Sequence, residues 1–162
     1  MRTESEKFRV DNFSGMEIEV KKFSELSLEE LYDVLRVRAE VFVEEQNCSY
    51  QDLDGKDQKA LHILGKENNQ LVAYARCFAP GDYFKEAAFG RVLVLDNYRK
   101  LGYGHRITNA SIQAIKDNFK TKEIRISAQL YLVTFYESHG FNTAGDRYLE
   151  VGIPHISMLL NL

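Results

Sequence analysis

The residues with the clearest chemical potential lie at positions 99–104, where the sequence reads Arg-Lys-Leu-Gly-Tyr-Gly. An apolar run at residues 92–95 precedes this segment and predicts a buried strand, and a helical pattern follows it. The first amides of a helix lack partners within the helix, and the helix dipole favours negative charge there. The two glycines leave the backbone accessible, and Arg106 adds positive charge to that of the segment itself. The segment is therefore predicted to bind a phosphate or pyrophosphate group.

Two well-known phosphate-binding motifs do not fit this segment. A P-loop requires Lys and then Ser or Thr after its last glycine, whereas Gly104 is followed by His105 and Arg106. A dinucleotide fingerprint requires a third small residue where Ile107 stands. The motif that remains is Arg-x-x-Gly-x-Gly, and its alternative interpretation is a helix start that contains two convenient glycines.

Length and composition indicate one ordinary globular domain. A chain of 162 residues, 44% hydrophobic and 28% charged, can bury roughly 70% of its unfolded surface without disulfides. The net charge of -3 gives no general attraction to nucleic acid, and no apolar run approaches the ~18 residues of a membrane span. No Cys/His spacing indicates a metal site. We therefore expect a cytoplasmic monomer or homodimer with no metal, nucleic-acid or membrane partner.

The hydrophobic periodicity predicts the element order. A strand, one or two helices, three strands, a helix, a strand, a helix and two last strands describe an α+β domain around one mixed sheet. Ser27 and Glu30 form a capping box at the start of the first long helix. Asn68-Asn69 predicts a hairpin turn, and Gly140 ends a short helix. Residues 1–15 are expected to form a flexible extension, and residues 16–162 a single domain.

This element order and four segments resemble the GNAT N-acetyltransferases. Residues 99–104 resemble the acyl-CoA pyrophosphate loop of that family. Residues 135–141, which read Phe-Tyr-x-x-x-Gly-Phe, resemble its late helix, whose tyrosine faces the thioester sulfur. Residues 41–55 and residues 152–156 are similar to the ElaA-like branch. The resemblance covers the chain from about Met16 to its end.

The resemblance implies a function as well as a fold. The fold would be an α+β (α/β three-layer) sandwich, with a central mixed, mostly antiparallel sheet flanked by helices. The function would be acetyl transfer from the co-substrate acetyl-CoA to a primary amine by direct attack in a ternary complex. Tyr136 would protonate the leaving thiolate as general acid. The residues that the resemblance assigns to acetyl-CoA are Val92, Leu93, Val94, Arg99, Lys100, Leu101, Gly102, Tyr103, Gly104, His105 and Arg106.

The sequence leaves the general base open. Some family members carry an acid early on the central strand, but residues 88–90 read Ala-Phe-Gly. The candidates elsewhere are Glu45, Asp54, His62 and His155. His155 fits a base, a substrate contact or a structural histidine equally well, whereas the strand pattern around His62 favours a structural role. The missing acid also keeps open an alternative function, a non-catalytic acyl-CoA-binding module or sensor.

Two further groups of charged residues, on predicted strands and in a polar loop, also need an interpretation. Arg76 and Arg91 lie on predicted strands, so each must meet an acidic group of the substrate, Glu45 or the surface. The polar loop at residues 46–57 contains Asp52, Asp54 and Gly55 but lacks the ligand register of a calcium loop. It is therefore predicted to be a solvated, turn-rich loop.

Overall fold

The computed structural model describes residues 15–162, so the predicted extension at residues 1–15 lies almost wholly outside the described residues. Eight strands and three helices alternate along this part of the chain, in the predicted order as far as the last helix. The first helix continues into a π-helical segment, Ala39–Glu45. The elements are β1 (Met16–Lys22), α1 (Leu28–Arg38), β2 (Leu61–Glu67), β3 (Gln70–Phe78), β4 (Ala87–Val94), α2 (Tyr103–Asn118), β5 (Glu123–Gln129), α3 (Val133–Glu137), β6 (Asn142–Thr143), β7 (Tyr148–Glu150) and β8 (Ile153–Asn161).

One sheet contains all eight strands. Its order is β1-β2-β3-β4-β5-β8-β6, and β7 also pairs with β8. The β4–β5 pairing is parallel, and every other pairing is antiparallel. The predicted α+β class, with a mixed and mostly antiparallel sheet, is confirmed.

The helices cover both faces of the sheet. Side chains alternate between the faces of a strand, and on β3 Ala73 and Ala75 join the core that contains Ile107 of α2. Tyr74, between them, joins the core that contains Val34 of α1. Tyr136 of α3 belongs to the same core as α2. The result is three layers, with α1 on one face and α2 and α3 on the other.

The start of α1 was predicted correctly, but its buried face was not. Ser27 Oγ accepts a hydrogen bond from the Glu30 amide at 3.1 Å, and the Glu30 carboxylate accepts one from the Ser27 amide, as in a capping box. The sequence spacing predicts a buried face made of Leu28, Leu31, Leu35, Ala39 and Phe42, but Leu28 is 85% exposed. The face that packs on the sheet is offset from the predicted one because it must also bury an arginine, and its buried members are Val34, Val37, Arg38 and Val41.

Two turns of the chain follow sequence signals. Asn68 and Asn69 have φ of 49° and 65°, which is the left-handed conformation that a two-residue hairpin requires. Gly140, at φ 93°, ends α3 as predicted. The last strands differ from expectation, because three form instead of two. The sequence pattern predicts the closing strand from Ile156 to Leu160, but β8 begins at Ile153. Two of the three, β6 and β7, are only two and three residues long, which is too short for a periodic signal.

Candidate active site

A cleft of about 900 Å³ opens beside β4. The parallel pairing of β4 with β5 covers Ala87–Ile124 and Ala88–Arg125, and the two strands separate beyond those pairs. Arg91 has φ of 50° and lies at a register shift between β3 and β4, which bends β4 as it leaves β5. Residues 90–94 line the cleft, so the backbone on this side of β4 can pair with a ligand instead of a strand.

The predicted phosphate-binding segment lies at one part of this cleft, and we call residues 99–106 the glycine loop. Gly102 has φ of 78° and is the N-cap residue of α2, so the first amides of that helix follow it directly. A side chain built on Gly102 would meet nothing within 4 Å, and one on Gly104 would only touch Phe135 at 3.7 Å. This open space above helix amides fits a diphosphate group.

Most residues assigned to acetyl-CoA line the cleft, and two do not. Leu101 is exposed and is not part of the cleft lining, and Arg106 Nη1 donates to the Met16 carbonyl oxygen at 2.9 Å. His105 lines the cleft and shares a hydrogen bond with His139, with 2.9 Å between the ring nitrogens. The assigned residues that line it are Val92, Leu93, Val94, Arg99, Lys100, Gly102, Tyr103, Gly104 and His105.

The Glu45 carboxylate is paired with an arginine at the cleft. Its two carboxylate oxygens accept hydrogen bonds from Arg99 at 2.5 and 2.9 Å, and Arg99 Nε donates to the Val94 carbonyl oxygen at 3.0 Å. The hydrogen bonds from Glu45 raise the pKa of Arg99. Glu45 thus connects the end of the first helix to the glycine loop, and its carboxylate is already occupied by a cation.

Tyr136 lies at the inner wall of the cleft with most of its surface buried. Phe89, Phe135 and Phe141 surround its ring, with centroid distances of 6.4, 5.1 and 6.0 Å. Burial raises the pKa of the phenol well above its ordinary value. The hydroxyl therefore keeps its proton at neutral pH, and the raised pKa makes it a weaker acid than a free tyrosine.

His155 lines the cleft from β8. Its Nδ1 donates a hydrogen bond to the Ile153 carbonyl oxygen at 2.7 Å, and its Nε2 lies 3.3 Å from Glu150 Oε2. The ring of Tyr148 stacks on the imidazole at a centroid distance of 6.1 Å. The structure therefore places His155 beside a carboxylate, which the sequence did not predict because Glu150 belongs to the very short β7.

Three arginines and three aspartates form a largely buried network at another wall of the cleft. The three aspartates belong to residues 46–57, which we call the aspartate loop. Arg38 donates to Asp52 at 2.9 Å and to Asp57 at 2.7 Å. Arg76 donates to Asp57 at 2.9 Å, and both of its terminal nitrogens donate to Asp54. The sixth member is Arg91, whose Nε donates to Asp52 at 2.8 Å. The charges cancel, so the network is electrically neutral.

The network corrects three expectations. Arg76 and Arg91 pair with aspartates of the loop, not with Glu45. The loop itself is held by buried ion pairs and is not simply solvated, because Asp52 and Asp57 are only 6% exposed. Burial alone would raise the pKa of Asp54, but the hydrogen bonds and charge of Arg76 outweigh it and lower that pKa. A carboxylate stabilised in this way is a poor proton acceptor, so Asp54 is not a suitable base.

His62 has a structural role, as the strand pattern favoured. It is completely buried, and its ring nitrogens bond the Tyr74 hydroxyl at 2.7 Å and the Asp57 carbonyl oxygen at 2.9 Å. Burial lowers its pKa, so the ring is neutral. Of the four base candidates, His155 is the one that lines the cleft without an arginine partner.

The described residues contain neither a cluster of metal ligands nor a helix that could span a membrane. Within residues 15–162, no three His, Cys, Asp or Glu side chains come together as metal ligands would. In the same part of the chain, no helix has the length and apolar character needed to span a membrane. Burial raises the pKa of the Cys77 thiol to about 12, which makes it unreactive.

Several proteins are similar to this chain over most of its length. A UPF0039 protein of Synechocystis is 41% identical over 143 residues, which cover 88% of this chain and 93% of that protein. The crystal structure of Escherichia coli ElaA matches with a TM-score of 0.85 at 38% identity, over 90% of this chain and 99% of that one. An acyl-CoA N-acyltransferase from Pseudomonas aeruginosa matches with a TM-score of 0.82 at 35% identity, over 89% and 99%. The family described as the acetyltransferase (GNAT) domain matches residues 22–162, and the chain belongs to that family.

Proposed function

We propose that this protein transfers the acetyl group of acetyl-CoA to a primary amine by direct attack in a ternary complex. The observation that carries the proposal is the cleft itself, which joins the glycine loop, the open side of β4 and Tyr136. A GNAT acetyltransferase from Elizabethkingia anophelis with acetyl-CoA bound has the same fold, with a TM-score of 0.65 at 15% identity, over 91% of this chain and 99% of that one. Membership of the acyltransferase family supports the reaction class.

The donor would bind mainly to backbone groups. The first amides of α2, after Gly102, would hold the diphosphate, assisted by Lys100. The backbone of Val92 and Val94 would hydrogen-bond the pantetheine and the acetyl carbonyl, since β5 has separated from β4 there. A backbone donor aimed at the developing oxyanion is typically worth about 10²- to 10³-fold in rate.

The reaction then needs two proton transfers. A primary amine is mostly protonated at neutral pH and must first lose a proton, for which His155 is the base candidate. The neutral nitrogen attacks the acetyl carbon, and the carbon–sulfur bond breaks as the tetrahedral intermediate collapses. Tyr136 gives its proton to the departing thiolate and recovers one from the nitrogen. General acid assistance of this kind contributes about 10²- to 10⁴-fold.

Tyr136→Phe tests the proposal because it removes the hydroxyl and keeps the ring packing. We expect kcat to fall roughly 10- to 10³-fold while acetyl-CoA affinity stays near wild type, since the proton is transferred only in the transition state. Thiol release with polyamine and lysine-peptide acceptors measures kcat, and calorimetry measures affinity. The control is Tyr32→Phe, an exposed tyrosine of α1 that should leave both values unchanged.

Two outcomes would contradict parts of this proposal. Equal kcat in wild type and Tyr136→Phe would remove the acid role but leave the reaction class. If the wild-type protein binds acetyl-CoA and acetylates no amine in the panel, the alternative of a non-catalytic acyl-CoA-binding module would replace the enzyme.

A further inference from the structure

Glu150 and His155 form a polar pair within the cleft, and the pair has unsatisfied hydrogen-bonding capacity. The nitrogen that bonds the Ile153 carbonyl oxygen must carry a hydrogen, so in the neutral ring Nε2 has a lone pair. The Nε2 atom lies 3.3 Å from Glu150 Oε2, which is also an acceptor. Two acceptors this close need a hydrogen between them, which either a proton on Nε2 or an N–H group of a bound ligand can supply.

The surroundings fix the pair in place. Ser127 donates to Glu150 Oε2 at 3.1 Å, so the Ser127 oxygen must accept the short hydrogen bond from the Tyr148 hydroxyl. Tyr148 also stacks on the His155 ring, and the two residues are directly opposite each other on β7 and β8. On the β5 side His155 faces the neutral Gln129. Glu150 is the one charged side chain that the described residues place against His155.

We propose that Glu150 and His155 together receive the ammonium group of the acceptor and remove its proton. This inference rests on the proposed acetyl transfer and names its substrate class, an alkylamine that is cationic at neutral pH. An ammonium group supplies N–H donors to both acceptors at once, and the carboxylate compensates its charge. Glu150 and His155 line the same cleft as Tyr136.

The proton balance of this step closes without another reactant. The ammonium passes one proton to His155 Nε2, and the resulting imidazolium pairs with Glu150. The neutral amine then attacks the acetyl carbon, the carbon–sulfur bond breaks, and the second proton reaches the thiolate through Tyr136. His155 finally releases its proton to solvent. The products are the amide, the thiol of CoA and one proton.

Glu150→Gln tests the pair because glutamine keeps the shape and loses the charge. With 1,4-diaminobutane as acceptor we expect kcat/KM to fall about 10- to 10²-fold at pH 7. The loss should shrink toward pH 9.5, because the amine then increasingly loses its proton without help. Acetyl-CoA affinity should not change, and Glu29→Gln, an exposed glutamate of α1, is the matched control. A loss that is constant over this pH range, or no loss, would overturn the inference.

A second measurement works without turnover. Imidazole NMR signals of the wild-type protein are titrated with 1,4-diaminobutane, and His155→Gln identifies the signals that belong to His155. We expect these signals to shift in wild type and to stay in place in Glu150→Gln. An unchanged His155 signal in wild type would overturn the proposal that this pair binds the ammonium group. If the signal shifts but no amine is acetylated, the proposed function fails while the amine site stands.

Discussion

The glycine loop and the aspartate loop both line the cleft, but different parts of the chain hold them in place. The glycine loop depends on backbone conformation, with Lys100 and Gly102 at positive φ and the amides of α2 left for a ligand. The aspartate loop depends on side chains, because buried arginines of α1, β3 and β4 occupy its carboxylates. The glycine loop thus leaves backbone amides that can bind a ligand, whereas the carboxylates of the aspartate loop are already paired with arginines.

The difference has an energetic consequence. Removing one member of a buried ion pair leaves its partner charged in a poor solvent and typically costs 3–5 kcal/mol. A surface pair, by contrast, is worth at most about 1 kcal/mol. Substitutions in the aspartate loop should therefore change stability, and substitutions in the glycine loop should change binding.

The largest effect is expected from Arg38→Met. Arg38 is completely buried and contacts both Asp52 and Asp57, so its loss leaves two carboxylates short of a partner. We expect the free energy of unfolding to fall by about 3–5 kcal/mol in urea titrations. Arg36→Met, on the exposed side of the same helix, should change it by less than about 0.5 kcal/mol. Equal stability of the two variants would mean that the network does not hold the fold.

Acid should weaken the same network. Burial alone would raise the pKa of Asp57, but hydrogen bonds and charge from Arg38 and Arg76 lower it overall. Such a carboxyl stabilises the fold fully above the unfolded pKa of about 3.9, and this contribution disappears as pH falls through the lower folded pKa. Each pKa unit is worth about 1.4 kcal/mol. Urea titrations from pH 6 to pH 2 should therefore show a steep loss in wild type and a shallower one in Arg38→Met.

The two loops also differ in how far the sequence predicted them. The glycine loop could be singled out because its motif consists of residue types at fixed spacing, namely Arg99, Gly102 and Gly104. The partners within the aspartate loop were missed because they join residues 14 to 39 positions apart, through side chains whose directions depend on the whole fold. An arginine on the buried face of α1 was the available signal, but the predicted face excluded Arg38.

The fold was easier to predict than the part of the cleft around His155. Helix caps, the Asn-Asn turn and the long strands carry local signals, and each was confirmed. The Glu150–His155 pair depends on β7, a strand of three residues whose pairing with β8 is set by the sheet. No local pattern marks such a contact, although His155 itself could be singled out from its segment.

In the glycine loop, Gly104→Val should weaken donor binding and leave the fold intact. The residue is helical, and its new side chain would only contact Phe135, so strain is small. The side chain would however enter the space proposed for the diphosphate, and we expect the acetyl-CoA dissociation constant to rise about 10- to 100-fold, or roughly 1.4–2.8 kcal/mol. Gln113→Val places the same side chain on an exposed part of α2 as control. Unchanged affinity measured by calorimetry would exclude the loop as the diphosphate site.

The smallest effect on stability and binding is expected at the ion pair between Glu45, which precedes the aspartate loop, and Arg99 of the glycine loop. This pair is bidentate like the Arg76–Asp54 pair, but its side chains are 39% and 38% exposed, so solvent screens it. Glu45→Gln should change the free energy of unfolding by less than about 1 kcal/mol. It should also tighten acetyl-CoA binding by at most about five-fold, because Arg99 no longer divides its charge between a carboxylate and the phosphates. Calorimetry at low and high salt measures this against Glu44→Gln, the exposed neighbour, as control. A ten-fold loss of affinity would instead show that Glu45 holds Arg99 in its binding position, and the glycine loop would then depend on side chains as the aspartate loop does.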